Sequence, residues 1–281
     1  MIFNSNSKYI GITAPASDFN KKGFLEGIEY LKNRGFIPIF NKDIFKNSKN
    51  YLKGSDQYRK NSFEELLNDS RIKFIFMARG GYGSVRTLNS LDKKLLVKSK
   101  KILIGFSDIT TFHIFMNNNN IATIHAPMVN AFTRDLESTE KLFSLLNGEK
   151  KEYYLEVLRA GTNNIESILV GGNLAVILSL VGTKYQLNLK DKILFVEDIN
   201  EPLYKIDRML MQLKLSSDKP KAIILGQFTD CGNIKEIETL FLNMFDNIPI
   251  YSKLDIGHFN KTDSIILGIN YKIVDNILKL K

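Results

Sequence analysis

Ile102-Leu-Ile-Gly-Phe-Ser107-Asp-Ile-Thr110 decides how the chain is read. Residues 102–106 form a continuous apolar run of strand length. Directly after Ser107 the apolar positions fall at helical spacing, Ile109, Phe112 and Phe115. A strand without polar alternation is the mark of a sheet covered on both faces, and the change of period places Ser107 at the strand-to-helix turn. The same grammar recurs on the N-terminal side. Tyr9 to Ala14, Phe36 to Phe40 and Ile72 to Ala78 read as strands. Lys21 to Arg34 carries Phe24, Ile28 and Leu31 on one helical face, with Gly35 as its stop. Ser17 and Asp18, after Pro15, are candidate caps for that helix. Ser62, followed three residues later by Glu65, has capping-box spacing for another. Strands alternating with helices predict an α/β fold with a parallel sheet sandwiched between helical layers.

The second half has a different texture. Glu152 to Leu158 alternates like one exposed antiparallel strand, Gly161 to Asn164 reads as a turn, and Glu166 to Leu169 is expected to pair back. Gly171-Gly-Asn-Leu opens an apolar helix reaching Val181. Strands follow at Leu194 to Glu197, Ala222 to Gly226 and Ser264 to Leu267, with helices at Tyr204 to Leu213 and Glu236 to Phe245. The polar stretch from Thr133 to Lys151 marks the boundary. The expected division is an N-terminal α/β domain over 1–140, a linker region over 141–165, and a smaller C-terminal α/β domain over 166–281.

Composition narrows the function classes. At 281 residues, 44% hydrophobic and 25% charged, the chain is neither disordered nor a disulfide scaffold. The net charge of +9 comes from scattered lysines without a nucleic-acid motif, so it reads as a solvated basic surface. A nucleic-acid module would instead show steeply salt-dependent binding. The single Cys231 excludes an internal disulfide and every multi-cysteine zinc pattern. His113, His125 and His258 lack ligand-pair spacing, so neither a metal nor a cofactor is expected. Apolar runs such as Leu174 to Leu180 fall short of the ~20 residues of a membrane span, and the first residues lack a basic and apolar leader pattern. A cytoplasmic chain that does not insert into membranes is the expectation.

Three breaks at predicted strand ends carry the chemistry, where open α/β sheets place their sites. Ala78-Arg79-Gly80-Gly81-Tyr82-Gly83-Ser84-Val85-Arg86 has three glycines within four residues, so its backbone amides can approach an anion closely. It is not a nucleotide fingerprint, lacking a third spaced glycine and the Lys-Ser or Lys-Thr of a P-loop. Ser107 has the strand–nucleophile–helix placement of an elbow without the Gly-x-Ser-x-Gly consensus. From local sequence alone, a simple helix cap is the plainer reading of it. In the second half, Glu197-Asp198 closes a strand, and His258 stands in the Gly257-flanked loop Asp255 to Asn260. His113 reads as packed on its helix, whereas His125 fits a pocket or a structural position equally well. Ser, Glu and His in this order can form a triad, which spacing alone does not establish.

Together these stretches resemble the LD-carboxypeptidase family of serine peptidases, which includes muropeptide LD-carboxypeptidases and microcin C self-immunity proteins. The resemblance runs through Gly11-Ile-Thr-Ala-Pro-Ala-Ser17, Ala78-Arg-Gly-Gly-Tyr-Gly83 with Arg86, and Gly105-Phe-Ser-Asp-Ile-Thr110. It continues through His125-Ala-Pro-Met128, Gly171-Gly-Asn-Leu174, Phe195-Val-Glu-Asp198 with Tyr204 to Leu210, Gly226 to Cys231, and Gly257-His258 with Asn260. It implies that Ser107 is the nucleophile, His258 the general base and Glu197 its orienting acid. Glu197 is preferred to Glu201 because the family's acid closes the strand. The amides of Asp108 and of the Gly80-Gly81 turn, Gly81 in particular, would form the oxyanion hole. The implied substrate is a muropeptide cut between an L-centre and a terminal D-Ala, and the implied assembly is a homodimer. Arg79 and Arg86 are independent candidates to clamp the substrate carboxylate, since guanidinium meets carboxylate in a bidentate fork.

Two alternatives stand beside this. An immunity-type peptidase would cleave an aminoacyl-nucleotide antibiotic with the same triad, although the loop Asn200 to Arg208 looks more like the muropeptide branch. A non-catalytic muropeptide-binding protein would call for a broken triad, and all three positions are intact.

Overall fold

The computed structural model describes residues 8–46, 50–149, 151–161, 164–216 and 218–281. The first half contains β1 (Tyr9–Thr13), α1 (Lys21–Asn33), β2 (Ile37–Ile39), α2 (Asp56–Asn68), β3 (Phe74–Met77), α3 (Ser84–Ser90), α4 (Lys93–Ser99), β4 (Ile102–Gly105), α5 (Thr110–Asn118), β5 (Thr123–His125) and α6 (Leu136–Leu146). There follow β6 (Glu152–Tyr154), β7 (Glu156–Arg159), β8 (Ile165–Asn173), α7 (Leu174–Ser179), β9 (Ile193–Ile199), α8 (Leu203–Leu215), β10 (Ala222–Thr229), α9 (Ile234–Met244), β11 (Ile250–Ser252), β12 (Ile265–Leu267), β13 (Ile269–Val274) and β14 (Ile277–Leu280).

β1 to β5 form a parallel sheet in the order β5-β4-β3-β1-β2, covered on both faces as the apolar strands predict. Alternate residues point opposite ways along a strand, and here they feed two separate cores. Phe74, Phe76, Ile102 and Ile104 pack with Phe24 and Leu31 of α1 and Leu142 of α6. Ile75, Met77 and Leu103 face Phe63 and Leu66 of α2 and Phe112 of α5. That second core runs on without a break into Ile177, Leu210 and Phe241 of α7, α8 and α9, joining the two halves of the chain.

The other sheet has eight strands, ordered β6-β14-β13-β8-β9-β10-β11-β7. The single alternating strand expected over Glu152 to Leu158 is instead two strands separated by Leu155. β6 pairs with β14 and β7 with β11, so one segment occupies both edges and the sheet returns on itself. Glu166 to Leu169 does not pair back onto it. It belongs to β8, between antiparallel β13 and parallel β9. The rolled sheet encloses a third core, with Ile193, Phe195, Ala222 and Ile224 pointing inward. Their neighbours Leu194, Val196, Ile223 and Leu225 face the helices.

β12 leaves this sheet and pairs antiparallel with β5, extending the first one. The chain just after His258 is thereby anchored beside the strand that follows the Ser107 helix.

Several sequence expectations are corrected. Asn20, not Ser17 or Asp18, caps α1. α2 begins at Asp56, six residues before Ser62, with Ser55 as cap, and Ser62 is buried inside it, donating to the Arg59 carbonyl. Gly171 and Gly172 lie inside β8, which runs to Asn173, and the helix begins only at Leu174, capped by Asn173. The expected turn at Gly161 to Asn164 includes residues 162–163, which lie outside the described residues, as do residues 1–7. Among the described residues no helix is long and apolar enough to cross a membrane.

Candidate active site

β4 ends at Gly105, and two residues later Ser107 adopts φ +63°, in the left-handed region. For a residue with a Cβ this costs roughly 1–2 kcal/mol, which the surrounding structure must offset. The elbow reading therefore has a backbone observation behind it. The simple-cap reading does not: the short helical turn over 107–109 and α5 both start without a side-chain cap.

The glycine turn is packed directly against this serine. A Cβ on Gly80 would stand 3.0 Å from Ser107 Cβ and 3.2 Å from its Oγ, so a side chain here would press on the hydroxyl. Gly81 has φ +95°, and a Cβ there would collide with Ser17 Oγ. Ser17 staples the turn: its hydroxyl accepts from the Tyr82 amide at 3.0 Å and lies 3.2 Å from the Tyr82 carbonyl, while its own amide donates to the Gly80 carbonyl. From the other side, the Asp108 carboxylate accepts the Ser84 amide at 2.7 Å. Burial pushes the Asp108 carboxyl up, against the pull of that amide. Asp108 follows Ser107 in a first helical turn, where N–H groups have no intrahelical acceptor.

The acid and base come from the rolled sheet. Strand alternation puts Glu197 on the inward face with Ile193 and Phe195, and its side chain is fully buried. Asp198 points the other way and accepts from Asn173 Nδ2, the Ala175 amide and the Ile199 amide. Burial raises the Asp198 carboxyl to about 6. His258 Nδ1 stands 2.6 Å from Glu197 Oε2. A carboxylate only accepts, so Nδ1 carries a proton, and in the neutral ring Nε2 keeps its lone pair. Burial alone would lower the His258 imidazole, but the Glu197 carboxylate outweighs it and raises it above the ordinary value. Burial likewise opposes the Glu197 charge, yet His258, with help from His125, draws the carboxyl down to about 2.

Neighbouring residues bring the Ser107 segment beside the strand and loop that carry Glu197 and His258. The Phe106 ring lies 4.7 Å from the His258 ring, and the Thr110 hydroxyl accepts the amide of Asn173, which is in register with Glu197. The His258 loop is fixed by Gly257 N–H to Thr262 Oγ1 and Phe259 N–H to Gln227 Oε1.

The other sequence candidates fall into place around this pair. Glu201 is ion-paired with Lys205 at 3.4 Å rather than with His258. Arg86 is held bidentate by Asp56, with contacts of 3.1 and 2.7 Å, so a substrate carboxylate would have to compete for it. Arg79 is exposed and donates to the Asp18 carbonyl. His113 is fully buried, as expected, with Nε2 donating to the Gly105 carbonyl. His125, left open between pocket and structural roles, faces Glu197. Sequence reading missed the Ser17 staple and the Thr110–Asn173 link, although all three residues lie in the motifs singled out above.

Comparison with known proteins assigns the architecture. Residues 10–126 match the family model described as the LD-carboxypeptidase N-terminal domain, and residues 166–273 match the LD-carboxypeptidase C-terminal domain. A probable murein peptide carboxypeptidase of Bacillus subtilis is 32% identical over 276 residues, covering 92% of this chain and 86% of that protein. The chain belongs to the LD-carboxypeptidase family. It is thus a serine-type carboxypeptidase, a hydrolase. The murein tetrapeptide carboxypeptidase of Pseudomonas aeruginosa is 31% identical to this LD-carboxypeptidase, over 74% of each chain. The crystal structure of muramoyltetrapeptide carboxypeptidase from Oxalobacter formigenes superposes with a TM-score of 0.85 at 26% identity, covering 96% of this chain and 98% of that one. The microcin C7 self-immunity protein MccF of Escherichia coli is more distant, 27% identical over 94% of this chain and 89% of that protein.

Proposed function

We propose that this LD-carboxypeptidase releases terminal D-Ala from peptidoglycan tetrapeptides, with Ser107 as nucleophile, His258 as general base and Glu197 as the acid that orients it. The observation that carries the reading is the 2.6 Å contact between His258 Nδ1 and the buried Glu197, beside a serine held in a left-handed elbow. Ser107 Oγ attacks the carbonyl carbon of the L-centre while its proton passes to His258 Nε2. The oxyanion forms against the amides of Asp108 and Gly81, donors fixed before the charge develops. Collapse breaks the C–N bond, and His258 returns the proton to the departing D-Ala amine. A water molecule then repeats the sequence on the acyl-enzyme and frees the tripeptide. Arg79, and Arg86 in competition with Asp56, are the proposed clamp for the D-Ala carboxylate.

On this reading the domain that ends near residue 140 supplies the nucleophile and the one that begins near 166 supplies acid and base. The enzyme is proposed to act as a homodimer in the cytoplasm on recycled tetrapeptides.

Three substrates test the proposal: the tetrapeptide ending in D-Ala with meso-diaminopimelate or L-Lys at the third position, its L-Ala-ended diastereomer, and an aminoacyl sulfamoyl adenosine. The D-Ala peptide is expected to react at least about 10²-fold faster than its diastereomer, since a misplaced reacting centre costs about that factor. Equal rates on both peptides would refute L,D selectivity. Cleavage of the nucleotide alone would favour the immunity-type reading.

A further inference from the structure

Glu197 Oε1 and His125 Nε2 are both buried, neither has a hydrogen-bond partner among the described residues, and they face each other at 3.7 Å. A buried polar atom without a protein partner is costly, and two such atoms facing each other call for an explanation. The two are complementary: a carboxylate oxygen needs a donor, and a neutral imidazole nitrogen can be one. We propose that His125 is a positioning residue for the triad, donating from Nε2 to Glu197 Oε1 and so holding Oε2 on His258. This rests on the Ser–His–Glu reading above and deepens it.

The need for a second donor follows from the acid. The terminal torsion of a Glu side chain is broad, so a single hydrogen bond leaves the carboxylate plane free to swing. A donor on each oxygen fixes the plane, and with it the azimuth of His258. His125 is suited to be the fixed end. It lies on β5 between β4 and β12, in register with Gly105 and Ile265. The rings of Phe106 and Phe195 pack edge-to-face with its ring at 5.8 and 5.3 Å between centres. His113, 6.0 Å away between ring centres, is driven down to about 3 by burial and by His125, so it stays neutral and brings no competing charge. The ring of Phe106, the residue preceding the nucleophile, packs against both His125 and His258.

A double-mutant cycle separates positioning through Glu197 from a merely structural role. Steady-state kinetics on the D-Ala tetrapeptide would compare His125→Phe, His125→Gln, Glu197→Gln and the pair His125→Phe with Glu197→Gln. His125→Phe is expected to lower kcat about 10- to 10²-fold at nearly constant KM, as a misplaced catalytic group does. His125→Gln, whose amide reaches the place of Nε2, is expected to recover most of that loss. In the Glu197→Gln background, His125→Phe is expected to cost less than about twofold, because the acid it serves is gone. Should His125→Phe lack a cooperative thermal transition, His125→Asn takes its place in the cycle, being polar but too short to reach Oε1. Full activity in the single variant, or losses that multiply in the double variant, would overturn the inference and leave the triad standing. An unaffected Glu197→Gln would instead overturn the triad reading itself.

Discussion

Ser107→Ala is expected to lower kcat for D-Ala release by about 10⁴- to 10⁶-fold with little change in KM, the loss seen when a triad nucleophile is removed. A hydroxyl is a poor nucleophile until a base takes its proton, and here that base is already oriented by Glu197 at 2.6 Å. The substitution is mild for the fold. Ser107 caps no helix, and alanine meets the same φ of +63° that serine does. Thermal stability should therefore move by no more than about 0.5 kcal/mol, the usual range for sites without a special contact. Kinetics and a thermal melt on the same preparation check both halves. Activity within tenfold of wild type would remove Ser107 from the chemistry.

Glu197→Gln should cost about 10³- to 10⁴-fold in kcat, since an amide neither fixes the Nδ1–H tautomer nor stabilises the imidazolium. It should also move the pH profile in a definite direction. His258 must be neutral to accept the serine proton, so kcat/KM falls as pH drops through its pKa. Burial disfavours the imidazolium, but Glu197 first and Asp198 second more than compensate, so the wild-type acid limb lies above the ordinary histidine value of about 6.5. Glu197, at about 2, stays charged throughout that limb. With Gln the attraction goes and the burial remains, so the limb shifts to lower pH. A limb that stays in place would mean that Glu197 does not govern the base.

The parallel sheet was legible because β3 and β4 are uninterrupted apolar runs of strand length set between helical patterns. Helix starts were less so. Ser62 and Glu65 have capping-box spacing, yet α2 begins at Asp56 over a polar first turn with no apolar period to announce it. Pairing partners were illegible wherever one segment serves two neighbours. Alternation from Glu152 to Leu158 says which residues share a face, not that Leu155 divides the segment between β14 and β11.

The site shows the same division. Ser107, Glu197 and His258 stand at breaks in local pattern and could be named from the sequence, with the family resemblance supplying their roles. His125 and Arg86 could not be resolved locally, because their partners Glu197 and Asp56 are brought to them only by the fold.

The most direct test of the central claim uses the tripeptide L-Ala-γ-D-Glu-meso-diaminopimelate with a boronic acid in place of the carboxyl on the L-centre of diaminopimelate. Boron then stands where the scissile carbonyl carbon would be, and a bound tetrahedral boronate mimics the transition state. Boron NMR of the complex should show trigonal boron turning tetrahedral on the wild-type chain and remaining trigonal with Ser107→Ala. A boronate that stays trigonal on the active wild-type enzyme, or turns tetrahedral equally on both, would contradict attack by Ser107.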